Sequence, residues 1–286
     1  MQAIRTVGVI GAGTMGNGIA QACAVSGLDV AMVDIDDAAV ARGRKAIASS
    51  LERLVKKEKL GAAERDAALS RVAGGTDYDV LARCDIVIEA ATENLELKLK
   101  ILRRLDGIAR KDAILASNTS SISITALAAV VSDPARFLGM HFFNPVPMMM
   151  LVEVIRGLQT GDAAVTSVEA FAATLGKTPI VVRNSPGFVV NRILCPMINE
   201  AIFALAEGVA SAQAIDDGMK LGCNHPIGPL ALADMIGLDV LLAVMNVFYT
   251  DFSDPKYRPA PLLREMVAAG YLGRKSGRGF YTYDSR

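Results

Sequence analysis

Short apolar runs alternate with amphipathic segments along the first two thirds of the chain. The apolar runs that predict strands lie at residues 7–10, 28–33, 85–88, 113–116, 137–140 and 178–182. Helices are predicted up to residue 25 and at residues 37–59, 62–72, 93–109 and 164–175. Buried strands that alternate with helices are typical of a parallel sheet covered on both faces. The pattern therefore predicts an α/β fold with a doubly wound sheet.

The pattern changes after residue 184. Asn184 or Ser185 can cap a helix, Pro186 suits a first helical position, and no strand is predicted from there to the glycine-rich tail. Helices are predicted at residues 187–207, 212–221, 229–252 and 261–269. We therefore predict a sheet domain over residues 1–184, with a helical hairpin near residues 37–72, and an all-helical domain over residues 185–286. Because the outer faces of the latter carry little charge, a homodimer through this domain is expected.

A glycine motif lies between the first two predicted strands. Gly11, Gly13 and Gly16 have G-x-G-x-x-G spacing, and the second strand ends on Asp34. This context is typical of Rossmann-type sheets, where loop N–H groups and a helix N-terminus bind a pyrophosphate. The residues predicted to contact a dinucleotide are Gly11, Gly13, Thr14, Met15, Gly16 and Asp34. The Asp34 carboxylate would bind the adenosine ribose and repel a 2′-phosphate, which favours NAD over NADP.

Several polar residues lie just beyond other predicted strands. Parallel strands end at one edge of the sheet, and ligands bind outside that edge. We therefore expect the nicotinamide end of the cofactor to lie near Glu93, Asn118, Ser120, His141 and Asn144.

His141 is a candidate general base, because alcohol oxidation needs a group that accepts the hydroxyl proton near neutral pH. Glu153 lies twelve residues later in an apolar run and can accept a hydrogen bond from the second ring nitrogen. The alternative is a structural histidine bonded to backbone, with Glu153 facing water. Ser120 and Asn191 can donate to the developing carbonyl oxygen, although Asn191 fits an exposed amide equally well. His225 is interpreted as a loop histidine.

Composition excludes several classes of function. The 286 residues include 30 basic and 30 acidic side chains, so the zero net charge argues against a nucleic-acid surface.

The most apolar helix candidate, residues 230–248, is interrupted by Asp234 and Asp239, and no membrane span is expected. An apolar strand begins close to Met1, which argues against a cleavable leader. The four cysteines form no C-x-x-C pair, so we expect reduced thiols, a cytoplasmic protein and no bound metal.

The motifs together resemble the L-3-hydroxyacyl-CoA dehydrogenase family, and most of all its bacterial single-function 3-hydroxybutyryl-CoA dehydrogenases. The resemblance covers nearly the whole chain and rests on VGVIGAGTMGNGIA, ASNTSS, HFFNPVPMMMLVEVI, NSPGFVVNR, NHPIGPLALAD and LGRKSGRGFY. It implies NAD-dependent interconversion of 3-hydroxyacyl-CoA and 3-ketoacyl-CoA in fatty acid metabolism.

The resemblance also implies roles for single residues. His141 matches the catalytic base, Glu153 its acidic partner, and Ser120 and Asn191 the residues that contact the substrate 3-oxygen. The matches that line the NAD site are Glu93, Lys98, Asn118, Ser120, Asn144 and Lys275. Ser50 and Lys57 match positions that bind coenzyme A. On sequence alone, the cations around Lys57 fit a solvated helix end better, and the resemblance reverses that preference.

Three consecutive methionines, Met148, Met149 and Met150, depart from the family pattern, in which many members carry a lysine here. The departure leaves the acyl chain open, and 3-hydroxyadipyl-CoA of aromatic degradation is an alternative to 3-hydroxybutyryl-CoA. A β-hydroxyacid dehydrogenase is a second alternative. Those enzymes rely on a catalytic lysine on the first helix of their second domain, and here no lysine precedes Lys220 in the helical domain. A non-catalytic, crystallin-like dinucleotide-binding relative is a third, and the intact set of candidate catalytic residues disfavours it.

Overall fold

The computed structural model describes residues 4–283 of the chain. The chain divides into two compact units, Met1–Ser185 and Pro186–Arg286. In the described part of the first unit, the strands are β1 Thr6–Ile10, β2 Asp29–Val33, β3 Val72–Gly75, β4 Ile86–Glu89, β5 Ile114–Ser117, β6 Phe137–Phe142, β7 Leu151–Arg156 and β8 Thr178–Arg183. Its α-helices are α1 Thr14–Val25, α2 Asp37–Lys56, α3 Ala62–Ser70, α4 Leu95–Ile108, α5 Ile124–Ala128 and α6 Asp162–Thr174.

The strands form one sheet in the order β3-β2-β1-β4-β5-β6-β7-β8. Neighbouring strands are parallel except for β6 and β7, which are antiparallel. Strands such as β4, whose residues are all buried, carry mainly apolar side chains that pack on both faces of the sheet, and Glu89 is the last residue of β4. The predicted α/β fold with a doubly wound sheet is confirmed.

Strand β3 is not among the strands that the sequence predicts. Residues 62–72 were predicted to be one helix, but α3 ends at Ser70 and Val72 begins β3. The strand contains two glycines, which normally argue against a strand interior. A Cβ atom on Gly74 would lie 2.6 Å from a methyl group of Val40 in α2. The glycine is therefore explained by the close packing of α2 on this edge strand.

The second unit is helical, with α7 Val190–Ala206, α8 Ala212–Cys223, α9 Pro229–Ile236, α10 Leu238–Phe252 and α11 Pro261–Ala268. The predicted single helix over residues 229–252 is wrong. Gly237, with φ of +102°, separates α9 from α10, and the two helices are bent by 98°. None of the helices in residues 4–283 is long and apolar enough to cross a membrane by itself, and only this bent pair has the required length and composition together.

The start of α7 also differs from the prediction. The helix begins at Val190, because Gly187 and Phe188 have φ values of +73° and +53° and interrupt the helical path. Pro186 is therefore not a first helical residue. Asn184 caps a different helix: its side-chain oxygen accepts a hydrogen bond from the Ile124 N–H at 2.8 Å, at the start of α5.

Candidate active site

The glycine loop between β1 and α1 fits a pyrophosphate. Gly11 has φ of +103°, and a Cβ atom there would press against the Ala90 carbonyl oxygen. A Cβ atom on Gly16 would collide with the Gly11 carbonyl oxygen, so α1 lies close to the loop only because this residue is glycine. The space beside Gly13 is open, and α1 has no side-chain cap. Its first N–H groups can therefore bind an anion.

Asp34 is held firmly at the end of β2. Its Oδ2 atom accepts a hydrogen bond from the Ala12 N–H at 2.6 Å, and its Oδ1 atom accepts one from the Ile35 N–H at 2.6 Å. Each carboxylate oxygen can accept a further hydrogen bond. The two oxygens can therefore receive the two hydroxyl groups of an adenosine ribose.

A cavity of about 500 Å³ lies beside this carboxylate. Its lining residues are Ile10, Gly11, Gly13, Asp34, Ile35, Thr76, Tyr78, Ala90, Ala91, Thr92, Leu97, Lys100, Ile101 and Arg104. The mixture of apolar walls and a few fixed polar groups suits an adenosine moiety. The residues of the loop and cavity thus fit the adenosine diphosphate half of NAD.

The strand pairing brings His141 and Glu153 together. His141 on β6 and Glu153 on β7 are direct cross-strand partners, and His141 Nδ1 lies 2.6 Å from Glu153 Oε2. Both side chains are buried, Glu153 completely. An ionised carboxylate can only accept hydrogen bonds, so in the neutral imidazole the proton lies on Nδ1. The arrangement leaves Nε2 with a lone pair.

The lone pair of His141 Nε2 faces a hydroxyl group. Ser120 Oγ lies 3.1 Å from Nε2, and the Phe143 ring packs against the imidazole with centroids 4.5 Å apart. Since Nε2 is the accepting nitrogen, Ser120 donates this hydrogen bond. The base, its acidic partner and a hydroxyl donor are therefore assembled within the first unit.

Glu93 organises the loop that carries Ser120. Its Oε1 atom accepts hydrogen bonds from Thr119 Oγ1 at 2.5 Å, Ser120 N at 2.9 Å, and Ser121 N and Oγ, both at 3.1 Å. One carboxylate oxygen thus fixes three consecutive residues after β5. Glu93 therefore positions Ser120, whatever contact it also makes with a cofactor.

Lys98 lies beneath this loop rather than on its surface. The side chain is fully buried, and its ammonium donates to both oxygens of Glu89, at 2.8 and 3.0 Å, and to the Ala91 carbonyl oxygen at 3.2 Å. Glu93 Oε2 lies 3.6 Å away. Lys98 therefore supports Glu89 and Glu93 from behind, and its place in the NAD site stays a prediction. Sequence reasoning missed Glu89, which looks like the ordinary end of a buried strand.

Asn118 and Asn144 belong to the loops at the ends of β5 and β6. The side-chain oxygen of Asn118 accepts a hydrogen bond from the Phe142 N–H at 3.0 Å and so ties the two strand ends together. Asn144 is exposed, in the segment that leads to the three exposed methionines. Both asparagines therefore lie at the edge of the sheet where β5 and β6 end.

Lys177, which sequence reasoning did not single out, holds the segment after Asn144. Its buried ammonium donates to the carbonyl oxygens of Val146 at 2.6 Å and Met149 at 2.8 Å. Desolvation by burial lowers the pKa of this ammonium. No periodic signal marks the residue, because it lies in the turn between α6 and β8. It braces the loop between Asn144 and β7.

Of the predicted coenzyme A residues, Ser50 lies on α2 and Lys57 caps its C-terminus. Ser50 and Lys57 are seven residues apart, which places them on one face of a helix two turns from each other. Ser50 is half-buried, and Lys57 is exposed at the helix C-terminus, which lies at Lys56 rather than at the predicted residue 59. The exposed Lys57 ammonium can therefore bind an anion from solution.

Asn191 and Lys275 belong to the second unit. Asn191 is the second residue of α7, so it lies in the first turn and not one turn inside the helix as expected from a start near Pro186. The Lys275 ammonium lies 2.5 Å from Asp239 Oδ1. Their roles toward the substrate 3-oxygen and toward NAD remain predictions.

Comparisons with known proteins cover almost the whole chain. Residues 6–185 match the family model of the 3-hydroxyacyl-CoA dehydrogenase NAD-binding domain, and residues 187–283 match that of the C-terminal domain of the same family. A probable 3-hydroxybutyryl-CoA dehydrogenase of Deinococcus radiodurans is 55% identical over 276 residues, which are 96% of this chain and 99% of the relative. The 3-hydroxybutyryl-CoA dehydrogenase of Bradyrhizobium diazoefficiens is 51% identical, over 98% of this chain and 96% of its own.

A solved structure agrees with these relatives. The crystal structure of (S)-3-hydroxybutyryl-CoA dehydrogenase from Ralstonia eutropha is 70% identical and matches with a TM-score of 0.97, covering 99% of this chain and all of that one. The similarity therefore includes both units and is not confined to the dinucleotide-binding motif.

The brace formed by Lys177 can be tested by Lys177→Met. The substitution leaves two carbonyl oxygens without their donor, so we expect the free energy of unfolding to fall by about 1–3 kcal/mol. The KM for NADH should rise more than kcat falls, because the loop with Asn144 loses its support. Thermal unfolding and steady-state kinetics measure both effects. Lys59→Met, which removes an exposed ammonium, is the control, and equal behaviour of the two variants would contradict the bracing role.

Proposed function

Because this chain belongs to the 3-hydroxyacyl-CoA dehydrogenase family, we propose that it interconverts (S)-3-hydroxybutyryl-CoA and acetoacetyl-CoA. It is an NAD-dependent enzyme of that family, and the relatives named above are 3-hydroxybutyryl-CoA dehydrogenases. The observation that carries the proposal is the buried Glu153–His141 pair, with Ser120 on the other side of the imidazole.

His141 Nε2 takes the proton of the substrate 3-hydroxyl group. Bound NAD⁺ supplies the acceptor for the hydride that leaves carbon 3. The imidazole becomes positively charged in this step, and the adjacent Glu153 carboxylate offsets that charge in a site from which water is largely excluded. In the reverse direction, the protonated ring returns its proton from Nε2 to the carbonyl oxygen of acetoacetyl-CoA.

Ser120 and Asn191 orient the oxygen on carbon 3. The Ser120 hydroxyl, fixed through the Glu93 network, lies within reach of the same Nε2 atom that receives the proton. It can therefore transfer its hydrogen bond to the substrate oxygen as negative charge develops there. The Asn191 amide supplies a second donor in this proposal.

Coenzyme A binds along α2 in this proposal. The Lys57 ammonium meets a phosphate as a point charge, and the Ser50 hydroxyl hydrogen-bonds farther along the same helical face. The exposed methionines at residues 148–150 provide no cation for a terminal carboxylate. The lack of a cation at these three positions favours a neutral acyl chain over a dicarboxylic one such as 3-hydroxyadipyl-CoA.

We further propose that the enzyme acts in the cytoplasm as a homodimer. The second unit exposes large apolar side chains on its helices, such as Ile193 and Leu221, which are 66% and 84% exposed. Apolar surface of this kind is commonly covered by another subunit.

His141→Gln and Glu153→Gln test the proposed base. We expect His141→Gln to lower kcat by about 10²–10⁴-fold, the range typical of general acid–base catalysis, while NADH still binds. Glu153→Gln should also lower kcat and change the pH dependence of the rate, because the carboxylate no longer stabilises the imidazolium. NADH fluorescence titration and pH–rate profiles measure these effects.

His225→Gln, which changes the other histidine, should keep the pH dependence of the original enzyme. A His141→Gln enzyme with full turnover would contradict the assignment of the base, and an unaltered pH profile in Glu153→Gln would contradict the pairing.

Lys57→Gln tests the coenzyme A site. We expect the KM for acetoacetyl-CoA to rise by about tenfold, as for loss of one charge-assisted hydrogen bond. The KM for acetoacetyl-pantetheine, which lacks the phosphates, should change little. Lys45→Gln removes an exposed cation from a different face of α2 and is the matched control. An equal rise in KM for both thioesters would refute a phosphate contact at Lys57.

A further inference from the structure

The adenosine cavity contains more positive than negative charge. Its charged lining residues are Asp34, Lys100 and Arg104. Asp34 suffices to explain why NAD is favoured, since its carboxylate binds ribose hydroxyls. An adenosine without a 2′-phosphate offers no negative charge near its ribose 2′ position with which the two cations could pair. Their presence in the cavity therefore requires a separate explanation.

The two cations are placed by the geometry of α4. Leu97, Lys100, Ile101 and Arg104 follow the i, i+3, i+4, i+7 spacing of one helical face, and all four line the cavity. Arg103 is exposed but does not line it. The helix therefore directs one specific cationic face toward the adenosine position, and not its charged surface in general.

Arg104 is fixed at the cavity wall by an aromatic ring. Its guanidinium carbon lies 4.0 Å from the centroid of the Tyr78 ring. The pKa of Tyr78 is raised by burial and also by the negative charges of Asp34 and Glu89, while the charge of Arg104 opposes this rise. Asp34, Tyr78 and Arg104 all line this cavity, so charges of both signs face the same space.

The Asp34 carboxylate occupies what is otherwise an anion site. Its two oxygens accept the Ala12 and Ile35 N–H groups, each at 2.6 Å. Removal of the carboxylate would leave these two backbone donors without their acceptor, at the wall of a cavity that Lys100 and Arg104 also line. Such a set of N–H groups and cations is suited to a phosphate dianion.

We propose that Lys100 and Arg104, with the Ala12 and Ile35 N–H groups, form a latent site for the 2′-phosphate of NADP, which the Asp34 carboxylate closes by charge and by occupancy. The cofactor preference of this enzyme is then set by one residue acting against a positively charged surrounding. The inference rests on the proposed function only in placing the adenosine of the dinucleotide in this cavity.

The test compares adenosine fragments and whole cofactors in three variants. Asp34→Ala opens the site, the triple variant Asp34→Ala/Lys100→Gln/Arg104→Gln also removes the two cations, and Asp34→Ala/Arg103→Gln removes a neighbouring cation outside the cavity. Isothermal titration calorimetry with 2′,5′-ADP and 5′-AMP, with saturating coenzyme A present to occupy the site proposed on α2, reports binding in this cavity. NADH and NADPH fluorescence titrations report the whole cofactor.

Asp34→Ala is expected to shift the affinity ratio toward the 2′-phosphorylated ligand by at least about tenfold, as for charge-assisted hydrogen bonds. The triple variant should lose that gain, and the Arg103 control should keep it. If the triple variant prefers 2′,5′-ADP as strongly as Asp34→Ala does, or if Asp34→Ala gains nothing, the latent site is refuted.

A second comparison does not depend on the folding of Asp34→Ala. Even while Asp34 closes the site, the two cations offset part of its repulsion of a 2′-phosphate in the same cavity. Lys100→Gln/Arg104→Gln in the otherwise unchanged chain should therefore widen the preference for NADH over NADPH, and an unchanged preference would refute the site. Failure of the proposed function is distinguishable, since it would appear as absence of acetoacetyl-CoA reduction by the original enzyme with NADH.

Discussion

A carboxylate buried in the middle of a strand is the constraint on which the candidate site depends. Removing an ionised carboxylate from water costs several kcal/mol unless a hydrogen-bonded partner offsets the loss. Glu153 is fully buried on β7, and its offsetting partner is the imidazole of His141 on β6. The pair forms because β7 runs antiparallel to β6 and places the two residues opposite each other. The sheet thus orients the imidazole so that Nδ1 carries the proton and Nε2 can act as the base.

The charged groups around this pair are themselves paired or hydrogen-bonded, and they hold the neighbouring loops in place. Glu93 collects four donors from the loop after β5 on one oxygen, and the buried Lys98 lies between Glu93 and Glu89. Ser120 is therefore oriented by a network that begins on β4 and α4. On the other side, Lys177 braces the loop that follows Asn144. Two buried lysines consequently support the loops that flank the imidazole.

Sequence reasoning could predict the parts of the molecule where local pattern and chemistry agree. The glycine motif, Asp34 and the run of strands around them indicate a dinucleotide fold, and His141 attracts attention as a histidine at a strand end. Glu153 is noticeable because a carboxylate is unusual in an apolar run. These features are local, so a single sequence displays them.

The rest depends on contacts that the sequence does not display. The glycine at position 74 of β3 is explained by the close packing of α2, which the sequence does not show. Gly237 separates α9 from α10 through a positive φ that cannot be seen in the apolar pattern. The burial of Lys98 and Lys177 follows from tertiary packing alone. The cationic face of α4 is an intermediate case: its periodicity is visible in the sequence, but its direction toward Asp34 is visible only in the fold.

The tautomer of His141 tests the central pairing most directly. The chain contains only two histidines, so ¹⁵N–¹H correlation spectra of the imidazole rings can be assigned by comparison with His225→Gln. At a pH at which the ring is neutral, we expect a proton on Nδ1 and an unprotonated Nε2 in the enzyme without substrate. A neutral ring protonated on Nε2 would contradict it, because such a ring could neither donate to Glu153 nor accept the substrate proton.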